Sequence, residues 1–251
     1  MGNKSSRDAL EGRGAVVTGA NSGIGLVVTK KLLEYGMVIV SIDGETDKLD
    51  ALKAEDKNKE FLHVVQSDIT DEEEVLDAFQ WVSDNIENVD VLINCAEIIE
   101  PCSILGGDRD TWQKMANYNI IGFCACSVEM IRTMKDQKID LGLIVNINSV
   151  ASHEVASSST YHFYSATKHA ALRLTEHLRQ ELEFTVQPIK MTSITVGPNE
   201  FFASDEGYIN EVCEVKGSLR LDDITSAIDY VIHTPSHLQV RDLVILPMKV
   251  M

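Results

Sequence analysis

Basic residues are scarce in this sequence of 251 residues, which has 22 Lys and Arg against 39 Asp and Glu and a formal net charge of −17. Such an excess of negative charge disfavours binding to the phosphate backbone of nucleic acids and to anionic lipid surfaces. The composition therefore predicts no nucleic-acid partner and no electrostatic attachment to membranes.

Long apolar runs are also absent. No run reaches the roughly 20 residues that a membrane-spanning helix needs, and the N-terminus lacks the apolar core of a signal peptide. The chain begins Met1-Gly2-Asn3-Lys4-Ser5-Ser6, which matches the N-myristoylation pattern. Acylation of Gly2 would give weak, reversible membrane association, and the alternative is a plain polar leader over residues 1–11. We expect a cytoplasmic protein that associates with membranes only if Gly2 is acylated.

The five cysteines form neither a metal-ligand pattern nor a disulfide pattern. Cys124 and Cys126 are spaced as C-x-C, no second pair lies near them, and the others are Cys95, Cys102 and Cys213. Structural zinc sites commonly use C-x-x-C pairs, and disulfide frameworks use an even number of cysteines. The sequence therefore predicts reduced thiols in an intracellular protein and no metal site.

No linker, repeat or low-complexity segment divides the chain. Short β-branched runs alternate with helical patterns from residue 13 to residue 246. This alternation is typical of βαβ units, and hence of a parallel sheet covered by helices on both faces. We predict an α/β fold, with a single doubly wound domain over residues 12–251 and a parallel sheet of about seven strands. One long helix is expected from Asp110 or Thr111 to about Lys135.

A glycine-rich turn follows the first predicted strand. The segment Thr18-Gly-Ala-Asn-Ser-Gly-Ile-Gly25 lies between that strand and the next predicted helix. Glycines there allow a tight turn and let backbone N–H groups approach a pyrophosphate, whose charge the helix N-terminus stabilises. The alternative is a tight turn without a ligand. The first interpretation predicts a dinucleotide site of the Rossmann type formed by Gly19, Asn21, Ser22, Gly23, Ile24 and Gly25.

An acidic residue, Asp43, ends the second predicted strand. A carboxylate at this point can accept hydrogen bonds from the hydroxyls of an adenine ribose, and it repels a 2′-phosphate. No Arg or Lys occupies residues 20–24 or 41–47 to receive such a phosphate. We therefore expect NAD to be favoured over NADP. The alternative is that Asp43 only begins a turn with Gly44.

A phenol and an ammonium lie four residues apart in Tyr164-Ser-Ala-Thr-Lys168, on one face of a predicted helix. A neighbouring cation favours the phenolate form of a tyrosine, which makes the phenol a better acid and base near neutral pH. Alone the pair is weak evidence, because most such pairs lie on exposed helix faces. It becomes informative together with the glycine turn and Asp43.

In combination these motifs resemble the classical short-chain dehydrogenases/reductases. The resemblance covers nearly the whole chain and rests on the order and spacing of Gly19-x3-Gly23-x-Gly25, Asn94-x-Ala, Asn119, Ser149 and Tyr164-x3-Lys168. The segment His162-Phe-Tyr-Ser-Ala-Thr-Lys168 and the step of 15 residues from Ser149 to Tyr164 are similar to one branch of the family. That branch contains dehydrogenase/reductase family member 11 and the insect farnesol dehydrogenases.

This resemblance implies an NAD(P)-dependent oxidoreductase that interconverts a lipophilic alcohol and its carbonyl compound, of the isoprenoid alcohol, retinoid or steroid class. It implies that Tyr164 is the general acid/base, while Lys168 supports it and binds the nicotinamide ribose. Ser149 would hold the substrate oxygen, and Asn119 would position a relay water. Further cofactor contacts are implied at Asp68, Ile69, Asn94, Ala96 and Gly197. A homodimer or homotetramer built through the long helix and the Tyr164 helix is also implied.

Three positions depart from the family pattern where it holds the cofactor. Glu97 stands where a glycine follows Asn-x-Ala, Val196 stands where proline precedes Gly197, and Phe201 replaces a threonine. These departures favour an alternative, a catalytically silent homologue that acts as a binding or scaffold protein. Phe201 could also form, with Phe202 and Tyr208, an apolar lid suited to a lipophilic substrate, and the alternative is ordinary packing under a long loop.

Overall fold

Seven parallel strands form the central sheet of the structure, a computed structural model that describes residues 10–156, 158–185, 188–201 and 217–248. Their order is β3-β2-β1-β4-β5-β6-β7. The strands are β1 (Gly14–Thr18), β2 (Val38–Asp43), β3 (Leu62–Gln66), β4 (Val89–Asn94), β5 (Gly142–Ser149), β6 (Ile189–Val196) and β7 (Asp242–Ile245). The α/β class and the doubly wound parallel sheet are thus confirmed.

Helices cover both faces of the sheet. They are α1 (Gly23–Glu34), α2 (Asp47–Lys53), α3 (Glu72–Asn85), α4 (Arg109–Ala116), α5 (Phe123–Asp136), α6 (His162–Glu183) and α7 (Leu221–Ile232). Residues of α1 and α7 belong to one buried cluster, and residues of α3, α5 and α6 belong to a second one. No helix among the described residues is both long and apolar enough to cross a membrane.

Alternation along the strands explains why two cores form. In β1, Ala15 and Val17 lie in the first core, whereas Val16 lies in the second, and all three are fully buried. Successive side chains of a strand point to opposite faces, so a β-branched run with no polar face suits a sheet covered twice. The order of strands reverses between β1 and β4, and an α/β sheet binds ligands beyond the carboxyl ends of its strands at such a point.

The predicted long helix is not continuous. It begins earlier than expected, because the Asp108 carboxylate accepts a hydrogen bond from the Thr111 amide at 2.9 Å and caps α4. A π-helical turn, Asn117–Gly122, then separates α4 from α5. A Cβ atom at Gly122 would lie 2.7 Å from the backbone oxygen of Ile69, so this turn passes closely beside the chain that follows β3. Wide π-helical turns often occur at functional positions, and this one contains Asn119.

Packing begins before the predicted domain start at residue 12, since Leu10 is buried in the first core.

The four described cysteines are free thiols, and no group of His, Cys, Asp or Glu in the described residues is arranged to hold a metal ion. Several predictions concern positions outside the described residues. These positions are Gly2, Phe202, Tyr208 and Cys213.

Candidate active site

A cavity of about 420 Å³ opens beyond the carboxyl ends of β1, β2 and β4, where the strand order reverses. Its lining includes eight of the residues that the sequence assigns to the cofactor, Gly19, Ser22, Gly23, Ile24, Gly25, Asp43, Ile69 and Ala96. The other described residues assigned to the cofactor lie outside the lining, and they are Asn21, Asp68, Asn94, Tyr164, Lys168 and Gly197.

The glycine turn depends on two unusual backbone positions. Gly19 has φ of +64°, and a Cβ atom there would lie 2.6 Å from the backbone of Ala96. Only glycine therefore lets the turn after β1 approach the segment after β4 so closely. Gly23 has φ of +53°, and a Cβ atom there would lie 3.1 Å from the ring of Phe201. The Phe201 ring thus covers the part of the turn that the sequence assigns to a pyrophosphate.

Asp43 fastens the glycine turn to the end of β2. One carboxylate oxygen accepts a hydrogen bond from the Asn21 amide at 2.9 Å, and the other accepts from the Glu45 amide at 3.1 Å. The carboxylate therefore has a structural role, as the turn alternative supposes, and it also lines the cavity. Both interpretations of Asp43 are compatible with the same geometry.

The cavity is acidic at this end. Burial raises the pKa of the Tyr118 phenol, and the neighbouring carboxylates of Asp68, Asp43 and Glu45 raise that pKa further. No Lys or Arg is among the described residues that line the cavity. A ligand that binds here with a phosphate on its adenine ribose would meet carboxylates and no cation.

Three residues predicted to touch the cofactor support the walls of the cavity through their own contacts. The side-chain oxygen of Asn21 accepts hydrogen bonds at the start of α2, from the Lys48 amide at 3.0 Å and the Leu49 amide at 3.2 Å. Asp68 accepts bonds from the Thr70 amide and hydroxyl at 2.9 and 2.8 Å, which fixes the turn before α3. Gly197 is also structural, because a Cβ atom there would meet the side chain that follows β7 at 2.9 Å.

Asn94 is the centre of a buried polar network. Its amide donates to the Ser127 hydroxyl and to the Asn146 side-chain oxygen, both at 3.0 Å. Its own oxygen accepts from the Thr18 hydroxyl at 3.2 Å. The network joins β1, β4, β5 and α5, and so it fixes the loop that carries Ala96 without itself facing the cavity.

Tyr164 and Lys168 meet at a single carboxylate oxygen. The Tyr164 hydroxyl donates to Oε2 of Glu97 at 3.0 Å, and the Lys168 ammonium lies 2.9 Å from the same oxygen. The ammonium also donates to the backbone oxygen of Ile147 at 3.3 Å. The two side chains are almost completely buried. The structure therefore brings the predicted acid/base pair together, with Glu97 as a third member.

The sequence shows Glu97 as a departure from the glycine of the family pattern, but it does not show which residues the Glu97 carboxylate contacts. Its carboxylate reaches residues far along the chain, and only the fold can bring such positions together. Cys95, which also lines the cavity, carries no sequence signal of its own. Burial raises the pKa of its thiol, and the nearby Glu97 carboxylate raises that pKa further.

The side chains of Ser149 and Asn119 are both engaged in hydrogen bonds within the protein. The Ser149 hydroxyl accepts from the Ala151 amide at 3.2 Å, at the end of β5. The Asn119 amide donates to the Ile98 oxygen at 2.9 Å and to the Thr167 hydroxyl at 3.0 Å, and its oxygen accepts from the Ile98 amide at 2.9 Å. Both amide donors are used, so Asn119 fastens the segment after Glu97 to α6.

The remaining departures differ in their positions. Val196 is buried in the first core and pairs with Ile245 of β7, so it replaces proline within the packing of the sheet. Phe201 lines the cavity. The glycine turn and Asp43 fit the adenosine part of a dinucleotide, and a pyrophosphate fits at Gly23 only when the Phe201 ring moves aside. At the other end, Glu97 lines the cavity in front of Tyr164 and Lys168, so a nicotinamide ribose fits only when its carboxylate moves aside.

Comparison with known proteins agrees with this geometry. A family model described as short chain dehydrogenase matches residues 13–202. Dehydrogenase/reductase SDR family member 11 of Gallus gallus is 36% identical over 245 residues, covering 94% of this chain and 96% of that protein. Farnesol dehydrogenase of Aedes aegypti is 37% identical over 243 residues, covering 96% of this chain and 98% of that protein.

Solved structures are similar in fold. A 4-hydroxyisoleucine dehydrogenase complexed with NADH has a TM-score of 0.80 and 27% identity, over 93% of this chain and 96% of that one. A serine dehydrogenase complexed with NADP+ has a TM-score of 0.77 at 22% identity, over 93% and 94% of the two chains, and shows the fold alone. This agreement over nearly the whole length places the chain among the classical short-chain dehydrogenases/reductases, as an NAD(P)-dependent oxidoreductase.

Proposed function

We propose that this chain interconverts a lipophilic alcohol and its carbonyl compound, with Tyr164 as the general acid/base and NAD as the preferred cofactor. The observation that carries the proposal is the convergence of the Tyr164 hydroxyl and the Lys168 ammonium, at 3.0 and 2.9 Å, on one oxygen atom at the edge of the cavity. A substrate oxygen that reached this position would meet a proton donor and a cation together.

The protein has a limited chemical task in such a reaction, because a bound nicotinamide cofactor supplies or accepts the hydride. Tyr164 gives its proton to the carbonyl oxygen during reduction and takes a proton from the alcohol during oxidation. Lys168 stabilises negative charge on the phenol oxygen during these transfers. Ser149, at the end of β5, holds the substrate oxygen: its hydroxyl oxygen accepts from the Ala151 amide at 3.2 Å and can still donate its own proton to the substrate.

Preference for NAD is supported by the acidic end of the cavity. Asp43 and Glu45 line it, Asp68 acts on the same Tyr118 phenol, and no Lys or Arg among the described residues lies in the lining. A 2′-phosphate there would be repelled by these carboxylates, whereas ribose hydroxyls can donate hydrogen bonds to Asp43.

The proposed substrate class is an isoprenoid alcohol such as farnesol, with retinoids and steroids as the other classes to test. Ile98 and Ile99, which follow Glu97 in the chain, and Phe201, which lies over Gly23, line the cavity and offer an apolar surface. The farnesol dehydrogenase relative supports the same class. Apolar pockets with a few placed polar groups are typical of sites for such ligands.

We also propose a homodimer or homotetramer and, if Gly2 is acylated, weak membrane association. Ile121 and Val128, on the π-helical turn and α5, are 60% and 36% exposed, which supports burial of this surface against a second copy. Size-exclusion chromatography with light scattering tests the first point, and a monomer would contradict it. Retention of Gly2→Ala on membranes would contradict the second.

The alternative, a catalytically silent homologue, is favoured by one observation. Glu97 occupies the point where Tyr164 and Lys168 converge. Titration with NADH and with NADPH, followed by melting temperature, separates the two interpretations, because a ligand that binds only the native state raises that temperature. No shift with either cofactor at millimolar concentration would favour the silent homologue.

Tyr164→Phe tests the proposed chemistry. We expect oxidation of farnesol with NAD, followed as NADH absorbance, to fall by roughly 10²- to 10⁴-fold, because the general acid/base is removed. The thermal shift with NADH should persist. Tyr161→Phe is the matched control, since it removes another buried phenol hydroxyl at the start of the same helix. Wild-type turnover in Tyr164→Phe would refute the role of this residue.

A further inference from the structure

We infer that Glu97 sets the cofactor affinity of this chain, because its carboxylate competes with the nicotinamide ribose for Lys168. The inference rests on the proposed function in one respect only, namely that Lys168 binds this ribose. It concerns binding, so it can be tested without turnover.

The contacts of Lys168 carry the first step. An ammonium has three N–H donors, and in this chain one meets the Ile147 oxygen at 3.3 Å while another faces Oε2 of Glu97 at 2.9 Å. The Lys168 side chain is only 5% exposed. A buried ammonium that is already paired with a carboxylate has less attraction for the uncharged hydroxyls of a ribose.

The second step of the inference rests on the position of Glu97 between the cavity and the Tyr164/Lys168 pair. Glu97 lines the cavity, whereas Tyr164 and Lys168 do not. The Glu97 side chain is 22% exposed and therefore lies between the open space and the buried pair. A ribose that enters from the cavity reaches the ammonium only after this carboxylate has turned away.

The backbone next to Glu97 is held firmly. Asn119 donates to the backbone oxygen of Ile98 and accepts from its amide, each at 2.9 Å, and also donates to Thr167 of α6 at 3.0 Å. Because this backbone is clamped, Glu97 must leave Lys168 by side-chain rotation rather than by movement of the loop. The competition is therefore a property of one side chain and can be changed by one substitution.

Calorimetric titration with NADH tests the inference on four proteins: wild type, Glu97→Gln, Glu97→Gly and Glu100→Gln. We expect at least tenfold tighter binding for Glu97→Gly and an intermediate gain for Glu97→Gln, which keeps the size of the side chain but removes its charge. Glu100→Gln is the matched control. Glu100 lies in the same loop as Glu97, and its carboxylate pairs with the exposed Lys114 rather than with Lys168. It should bind NADH as the wild type does.

Two results would overturn the inference. One is binding within twofold of the wild type, or weaker, for both Glu97 variants. The other is tighter binding for Glu97→Gly with no gain for Glu97→Gln, because bulk alone would then explain the effect.

A double-mutant cycle with Lys168→Met tests the route of the effect. If Glu97 acts through Lys168, Glu97→Gly should give no gain in NADH affinity once the ammonium is absent. An unchanged gain in that background would contradict the competition. Tight NADH binding by Glu97→Gly without hydride transfer to any substrate would refute the proposed function and leave this inference standing.

Discussion

Replacing Asp43 by Asn should remove most of the proposed preference for NAD over NADP. The carboxylate lines the cavity at the end of β2 and accepts hydrogen bonds from the backbone amides of Asn21 and Glu45 at 2.9 and 3.1 Å. The amide oxygen of an asparagine can still accept from the Asn21 amide, so the glycine turn should keep its shape. The hydrogen bond from the Glu45 amide is lost, because the second oxygen of the carboxylate becomes an NH2 group. The effect on cofactor binding therefore comes mainly from the lost charge.

Two electrostatic effects set the size of the change. For a phosphate with a charge of about −2 and about 6 Å from the carboxylate, repulsion is about 1.4 kcal/mol at the dielectric constant of water. Loss of this repulsion should tighten NADPH binding about tenfold. Hydrogen bonds to charged acceptors are stronger than those to neutral acceptors by about 1 kcal/mol, so NADH binding should weaken roughly fivefold. Asp43 is partly exposed, which supports these modest estimates.

Parallel calorimetric titrations with NADH and NADPH provide the assay. Glu45→Gln is the matched control, because it removes one charge from the same cavity lining and leaves the Asp43 carboxylate unchanged. It should improve NADPH binding slightly and leave NADH binding unchanged. If Asp43→Asn weakened the binding of NADH and of NADPH equally, the carboxylate would have only its structural role in the turn. The proposal that Asp43 selects NAD over NADP would then fail.

Three further predictions concern stability, measured by chemical denaturation. The Gly19→Ala variant should lose about 1–3 kcal/mol of its free energy of unfolding, and also its NADH binding, because φ is +64° and the new Cβ would lie 2.6 Å from the Ala96 backbone. A free energy of unfolding equal to that of the wild type would contradict this close approach. Asn94→Ala should lose about 2–4 kcal/mol, since its buried partners would lack hydrogen bonds; a loss below about 0.5 kcal/mol would refute the network. Arg13→Met should lose about 2 kcal/mol at pH 7, because it leaves the Asp90 carboxylate without the cation that lies 2.7 Å away. Burial already raises the pKa of Asp90, so protonation at acid pH relieves the cost of burying its charge, and the loss should shrink towards pH 4. An equal loss at both pH values would contradict that assignment.

Local patterns account for what the sequence could predict. The glycine turn and Asp43 follow directly from strand ends and backbone requirements, which a few neighbouring residues determine. Tyr164 and Lys168 lie one helical turn apart, so their approach needs only the helix. The alternation of strands and helices likewise determines the sheet, because each run buries apolar side chains in a known period.

Contacts between distant positions account for what the sequence could not predict. Glu97 meets Tyr164 across the fold, and no local pattern states where its carboxylate points. The hydrogen bond from Asn94 to Ser127 of α5 likewise joins residues far apart in the chain, on the strand face that Asn94 shares with Leu92. The π-helical turn at Asn119 was missed because its residues have ordinary helical character, and the close approach of Gly122 to the Ile69 backbone appears only in the folded chain.

Transfer of deuterium from NADH to a carbonyl substrate tests the central claim most directly. Purified protein is incubated with the aldehyde of farnesol and NADH that carries deuterium at the transferred position, and the alcohol is analysed by mass spectrometry. We predict deuterated farnesol from the wild type, more of it from Glu97→Gly, and none above background from Tyr164→Phe. Unlabelled product, or no product from Glu97→Gly even though NADH binds, would contradict the account.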